Sequence, residues 1–200
     1  MFFTLQELFD VIIMTIAVGY IFSSSFGIRP QIKSYEEDPV SYYQSYLKRK
    51  VSGFQLQNLW TSMLIAVPAV LFHELAHKLM ALYYGLSATF HAAYFWLGFG
   101  VLMKVLNTGF IFFVPAYVQH SGAALPIQNA AIAFAGPAIN GILWVTCFIL
   151  LKLKLKFSIR TIQIIAASKY INGFLFIFNL IPLGPFDGAQ VLNGILQTYF

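Results

Sequence analysis

The sequence predicts an all-α membrane protein with about four transmembrane helices and a small membrane-embedded β-hairpin or sheet between the second and the third. Three observations carry this reading. Apolar residues make up 59% and charged residues 10% of the 200, against roughly 45–50% and roughly 25% in ordinary soluble chains. Mean hydropathy is +0.74, more apolar surface than a soluble domain of this length can hide. The apolar residues also gather into four runs, each close to the roughly 20 residues that cross a bilayer. Between the second and third runs lies a stretch rich in Phe, Tyr, Trp and Val but broken by Gly98, Gly100, Asn107 and Gly109. That composition suits strands and turns better than a span.

The first span is expected over about residues 9–28. Glu7 and Asp10 stand at its start and the first basic residue is Arg29. A cleavable signal peptide wants the opposite charge there, so the segment reads as a retained helix. Residues 29–57 hold Pro30, Pro39, the acidic run Glu36 to Asp38 and the basic run Lys48 to Lys50. They read as a polar loop with room for a short interfacial helix. Further spans are expected over about residues 59–86, 127–151 and 161–183. Pro68 is expected to kink the first of these. Within residues 87–122, the runs 101–106 and 110–117 flank Asn107-Thr108-Gly109 and suggest a hairpin. A fifth span is the alternative. Lys104 at its centre stands against it, since an unpaired charge at mid-bilayer costs a few kcal/mol. The organisation expected is residues 1–57 as first helix and polar loop, and residues 58–200 as a functional core.

The formal charge of +5 does not point to nucleic acid. The basic residues cluster at the ends of apolar runs, as in Lys152, Lys154, Lys156 and Arg160. Such clusters orient spans and touch lipid headgroups, so the bilayer is the expected partner. The single cysteine, Cys147, lies in an apolar run and excludes an intrachain disulfide.

The chemistry is concentrated in His73-Glu74-Leu75-Ala76-His77. Residues four apart lie on one helix face, so His73 and His77 can reach one zinc ion. Glu74 stands a quarter-turn away, where a carboxylate can act as general base for a metal-bound water. Three ionisable residues inside a span are costly and mark a function more readily than a structural polar cluster. A catalytic zinc site wants a third protein ligand. After His77 the chain holds one acidic residue, Asp187. His91, His120 and Cys147 are the other candidates, and both histidines read as polar loop residues. Asp187 follows Asn179-Leu180-Ile181-Pro182-Leu183-Gly184-Pro185-Phe186, where two prolines and a glycine break the fourth span. Broken backbone at membrane depth is tolerated where it lines a wet cavity, which suits a metal site. In the third span, Ala135-Gly136-Pro137-Ala138-Ile139-Asn140 offers small residues for close helix packing and an amide at Asn140 that could donate to a developing oxyanion.

Taken in order, these segments resemble the site-2 protease family of intramembrane zinc metalloproteases. The resemblance runs from about residue 59 to the end of the chain. It rests on His-Glu-x-x-His at 73–77 and on Asn-x-x-Pro-x-x-x-x-Asp-Gly at Asn179, Pro182, Asp187 and Gly188. It implies His73, His77 and Asp187 as zinc ligands, Glu74 as the base, and Asn140 beside the site. It also implies transmembrane proteins as substrates, a cell-membrane location, and a short sheet after the His-bearing span. Phe186 stands where the family often has leucine, and Ala189 and Gln190 where it often has Gly and Arg. An edge strand within residues 98–117 is expected to hold an unwound substrate by strand addition. Basic clusters in the first and third connections would put both termini outside, whereas the resemblance implies a site near the cytoplasm.

Other readings use the same residues. A second membrane zinc-protease class takes a downstream Glu as third ligand, but no Glu follows Glu74. A metal-ion transporter could use His73, Glu74, His77 and Asp187 as a transit site, though such proteins usually carry paired repeats. An inactive helix-binding scaffold would be expected to have lost a ligand. The oligomeric state is not encoded in any feature of the sequence.

Overall fold

The computed structural model describes residues 3–25, 56–108, 114–153 and 155–200. Most of the expected polar loop of residues 29–57, and residues 110–113 of the expected hairpin, lie outside them. The described elements, in chain order, begin with α1 (Leu5–Ile21), which runs into a 3-10 turn (Phe22–Ser24), and α2 (Leu56–Tyr83). There follow β1 (Ser87–Ala92), α3 (Tyr94–Val105) and β2 (Ala116–Ser121). The chain ends with α4 (Pro126–Lys152), α5 (Ile159–Asn179) and α6 (Asp187–Tyr199).

Among the described residues, four helical segments are long and apolar enough to cross a membrane: Leu5–Ser24, Asn58–Tyr83, Pro126–Lys152 and Ile159–Asn179. They correspond to the four expected runs. Their ends are chemically marked. Thr4 and Glu7 form a capping box at the start of α1: Glu7 N–H donates to Thr4 Oγ1 at 3.2 Å and Thr4 N–H to Glu7 Oε2 at 2.8 Å. Ser158 caps α5 by accepting from Thr161 N–H at 3.1 Å. At the end of α2, Gly85 takes φ +76. Its N–H donates to Leu82 O and that of Leu86 to Ala81 O. This paired closure needs a left-handed residue, which glycine supplies without strain. Helix α2 continues through Pro68 and α4 through Pro137.

The segment between α2 and α4 departs from the expected hairpin. Residues 101–105 belong to helix α3, not to a strand. The sheet instead pairs β1 with β2, antiparallel, from Ser87↔Ser121 to Ala92↔Ala116. Two features explain the difference. A short apolar run does not by itself separate a strand from a buried helix. Asn107 and Thr108 of the turn signal belong to a helix end, and Gly109 lies outside the described residues: Asn107 has φ +52, and the N–H groups of Asn107 and Thr108 donate back to Lys104 O and Met103 O. His91 and His120, expected in loops, stand in β1 and β2. At 12 residues α3 is too short to span, and Lys104 at its end donates to Ser24 Oγ. Helix α6 was not anticipated either. Its signal was present in Val191, Leu192, Ile195 and Leu196, spaced as one helix face.

The core joins α1, α2 and the sheet. Met14, Val18, Ala66, Val67, Val70, Phe90, Ala92, Leu97 and Ala116 form one buried cluster. Phe90 and Ala92 lie on one face of β1, as the two-residue period requires. On the other side of α2, helix α4 packs against α2, α5 and α6. Small residues set these approaches. A Cβ added at Gly141 would lie 3.1 Å from Phe176, at Gly173 3.0 Å from Trp144, and at Gly194 2.8 Å from Ala130 Cβ.

Candidate metal centre

His73 and His77 project from α2 toward α4, one turn apart. Their Nε2 atoms are 3.1 Å from each other. Asp187, the first residue of α6, brings Oδ2 to 3.1 Å from His73 Nε2 and 3.4 Å from His77 Nε2. The turn over residues 180–186 makes this possible by ending α5 and restarting the chain as α6. Gly188 is required there. A Cβ on it would meet the Leu180 and Ile181 carbonyls, the latter at 2.7 Å. The three side chains thus form a group that can hold a metal ion.

Hydrogen bonding on the far side of each ring defines what faces inward. Asn140 Nδ2 donates to Ala69 O and to Asn172 Oδ1, each at 2.9 Å. Its Oδ1 therefore faces His73 and accepts from Nδ1–H at 2.6 Å. His77 Nδ1–H donates to Ile132 O at 2.7 Å. A neutral imidazole carries one N–H, so both Nε2 atoms present lone pairs to the centre. Asp187 Oδ2 is buried with no hydrogen-bond donor among the described residues. Three lone-pair atoms crowded together with no proton between them repel, unless a cation sits among them. Their separations of 3.1–3.4 Å match the edge of a tetrahedron, about 3.3 Å for zinc bonds of about 2.0–2.1 Å. The donor set fits zinc.

The surroundings are close and buried. His73, Glu74 and His77 are each less than a tenth exposed. Gly136 of α4 lies against both rings: a Cβ there would be 2.7 Å from His73 Nε2 and nearer still to His77 Nε2. Asn140 and Asn172 are fully buried, and Asn172 is held by donating to Ser168 O at 2.8 Å. The structure thus brings together His73, Glu74, His77, Asn140 and Asp187. It leaves His91 and His120 in the sheet and Cys147 near the far end of α4. Asn140, expected as an oxyanion donor, gives both amide hydrogens to Ala69 O and Asn172 Oδ1 and turns its Oδ1 to the His73 ring. Asn172 was not singled out from the sequence, although a second asparagine within a span was visible.

Fold and site together define a helical protein with four apolar helices of spanning length among its described residues and a His/His/Asp metal-binding group on two of its elements, α2 and α6. Comparison with known proteins agrees. The chain is 31% identical over 192 residues, 96% of its length, to a protein of Methanocaldococcus jannaschii named "putative zinc metalloprotease", of which it covers 85%. It is 31% identical over 133 residues, 66% of its length, to a Synechocystis protein of the same description. It spans 30% of that longer protein. No family model and no solved structure matches the chain. At the coverage of the first relative, the chain belongs to this family of zinc metalloproteases.

Proposed function

We propose that the protein is an intramembrane zinc metalloprotease of the site-2 type, embedded in the cell membrane and cutting transmembrane protein substrates in or near their spans. The observation that supports this most is the converging set of Nε2, Nε2 and Oδ2 lone pairs, buried between helices of membrane-spanning length. His73, His77 and Asp187 would hold the zinc. A zinc ion bound there would polarise the scissile carbonyl and acidify a water.

The remaining work falls to the chain. Asn140 and the Ile132 carbonyl fix the two imidazoles in the tautomer that leaves Nε2 free. Glu74, buried one residue from His73, takes the proton of the attacking water and delivers it to the leaving nitrogen. A substrate helix must first unwind, because its carbonyls are already hydrogen-bonded. Strand addition can hold the unwound stretch. Among the described residues of the expected region 98–117, only Ala116 and Tyr117 are strand, so the edge offered is that of β2. Phe90↔Val118 and Ala92↔Ala116 are pairs whose backbone groups point away from the partner strand. Ala116 and Val118 therefore turn their N–H and C=O outward.

Purified wild type, Glu74→Gln and Asp187→Ala, assayed for zinc per chain and for cleavage of a membrane-spanning reporter, test this reading. Glu74→Gln is expected to keep zinc and lose at least about 100-fold in cleavage. Asp187→Ala is expected to lose zinc. Cleavage by Glu74→Gln at the wild-type rate removes the mechanism. Zinc uptake into vesicles that survives Glu74→Gln but not His77→Ala would favour transport instead.

A further inference from the structure

The two carboxylates of α1 have no part in the chemistry above, yet both are buried and both end on the sheet. Glu7 and Asp10 are each 1% exposed. Glu7 Oε1 accepts from Phe90 N–H at 2.7 Å. Asp10 Oδ2 accepts from Ala92 N–H at 3.2 Å. Those N–H groups point away from β2, since Phe90 and Ala92 lie in the pairs without cross-strand hydrogen bonds. They are the groups that an added strand would use. The rest of the arrangement holds the carboxylates there. Lys78, one residue beyond His77 and 1% exposed, pairs with Glu7 Oε1. Thr4 N–H holds Glu7 Oε2 at 2.8 Å. Asp10 Oδ1 accepts from the Tyr94 hydroxyl and from Gln6 Nε2.

We propose that Glu7 and Asp10 act as a false strand: they occupy the outer N–H groups of β1, close that edge of the sheet, and leave β2 as the edge to which an unwound substrate is added. This rests on the strand-addition reading above. Two carboxylates three residues apart on a helix reach two N–H groups two residues apart on a strand, because the longer Glu side chain makes up the difference in rise. An ordinary edge would be open to any extended segment. Here it is closed by residues whose acceptors stay in register, and Glu7 is paired with Lys78 on the metal-bearing helix. Glu7 and Asp10 are thus positioning residues that direct the substrate to one side.

The test uses the full chain in lipid nanodiscs and two readouts. Amide hydrogen exchange tests the closure alone. Phe90 and Ala92 are expected to exchange slowly in the wild type and about tenfold or more faster in Glu7→Ala/Asp10→Ala, with Thr89 and His91 little changed. If that double variant loses its zinc, Asp10→Ala alone should free Ala92 and not Phe90, and Asp10→Asn, which keeps an acceptor, should restore slow exchange. Disulfide capture tests the direction. In a Glu74→Gln, Cys147→Ser background, a cysteine at Gln119 on β2 or Thr89 on β1 is offered to a reporter carrying a cysteine at its cleavage site. Disulfides need Cα atoms within about 7 Å, which reaches the adjacent strand and not the next one. The wild-type edge should capture at β2 only, and Glu7→Ala/Asp10→Ala should add capture at β1. Fast exchange of Phe90 and Ala92 in the wild type, or β1 capture that does not rise when their acceptors are removed, overturns the proposal. Slow exchange with no capture at either strand in any variant overturns strand addition itself, and with it the directing role, while leaving the protease reading to its own zinc and cleavage assay.

Discussion

At the residue scale, the site depends on atoms that do not touch the metal. Asn140 is the clearest of these: it orients His73 and is itself oriented by Ala69 O and Asn172. Asn140→Leu should keep the fold but weaken zinc binding by about 10–100-fold, measured by competition with a chromogenic chelator. Wild-type affinity in that variant would mean the hydrogen bond to His73 is incidental. Gly136 supplies the other case. Its missing side chain is the space occupied by the two rings, so Gly136→Ala should abolish stoichiometric zinc while leaving the helical circular dichroism unchanged. Alanine is the better helix former by about 1 kcal/mol. Loss of zinc without loss of helix would therefore separate a steric effect at the site from a general destabilisation.

At the scale of elements, α1 is tied to α2 and β1 by charge as well as by apolar contact. The Glu7–Lys78 pair is buried on both sides. Breaking one member of such a pair leaves an uncompensated charge and costs about 3–5 kcal/mol. Lys78→Met should therefore lower the thermal midpoint sharply, and Glu7→Gln/Lys78→Met should regain most of the loss, since it removes both charges and retains an acceptor for Phe90. A double variant no more stable than the single one would show that the charge balance is not what joins these elements. Much of this level was legible. The four apolar runs gave four helices, and the Asn179 to Gly188 break gave the turn that delivers Asp187. The two strands were not located, because residues 101–105 carry an apolar pattern that both strand and helix satisfy, and α3 takes them as helix.

At the scale of the whole molecule, the centre lies toward one end. His73 and His77 meet α4 at Ile132 and Gly136, in its first half. The basic residues Lys152, Lys156 and Arg160 lie at its other end and in the connection that leads into α5. A 27-residue helix is about 40 Å long, enough to place these ends at opposite faces of a bilayer. In a Cys147→Ser background, cysteines at Ala123 and Leu155 should therefore be labelled by an impermeant thiol reagent from opposite sides of sealed vesicles. Labelling of both from one side would show that α4 does not cross. Whichever face takes Ala123 is also the face nearer the metal centre, so the same experiment resolves the disagreement between the basic clusters and the family resemblance over orientation.

The sequence by itself determined the apolar helices, the His73-Glu74-x-x-His77 pair and the lone downstream acid at Asp187. Each is a local property: composition over about 20 residues, a spacing on one helix face, or a single acidic residue after His77. Only the tertiary structure decided that Asn140 Oδ1 meets the His73 ring, that Gly136 is the space in which the two imidazoles sit, and that Glu7 and Asp10 accept from Phe90 and Ala92 of β1. These depend on which atoms meet across 67 residues from His73 to Asn140 or 83 from Glu7 to Phe90. A buried donor or acceptor is costly without a partner, so its partner is fixed firmly in the fold, but nothing in the local sequence says which one it will be.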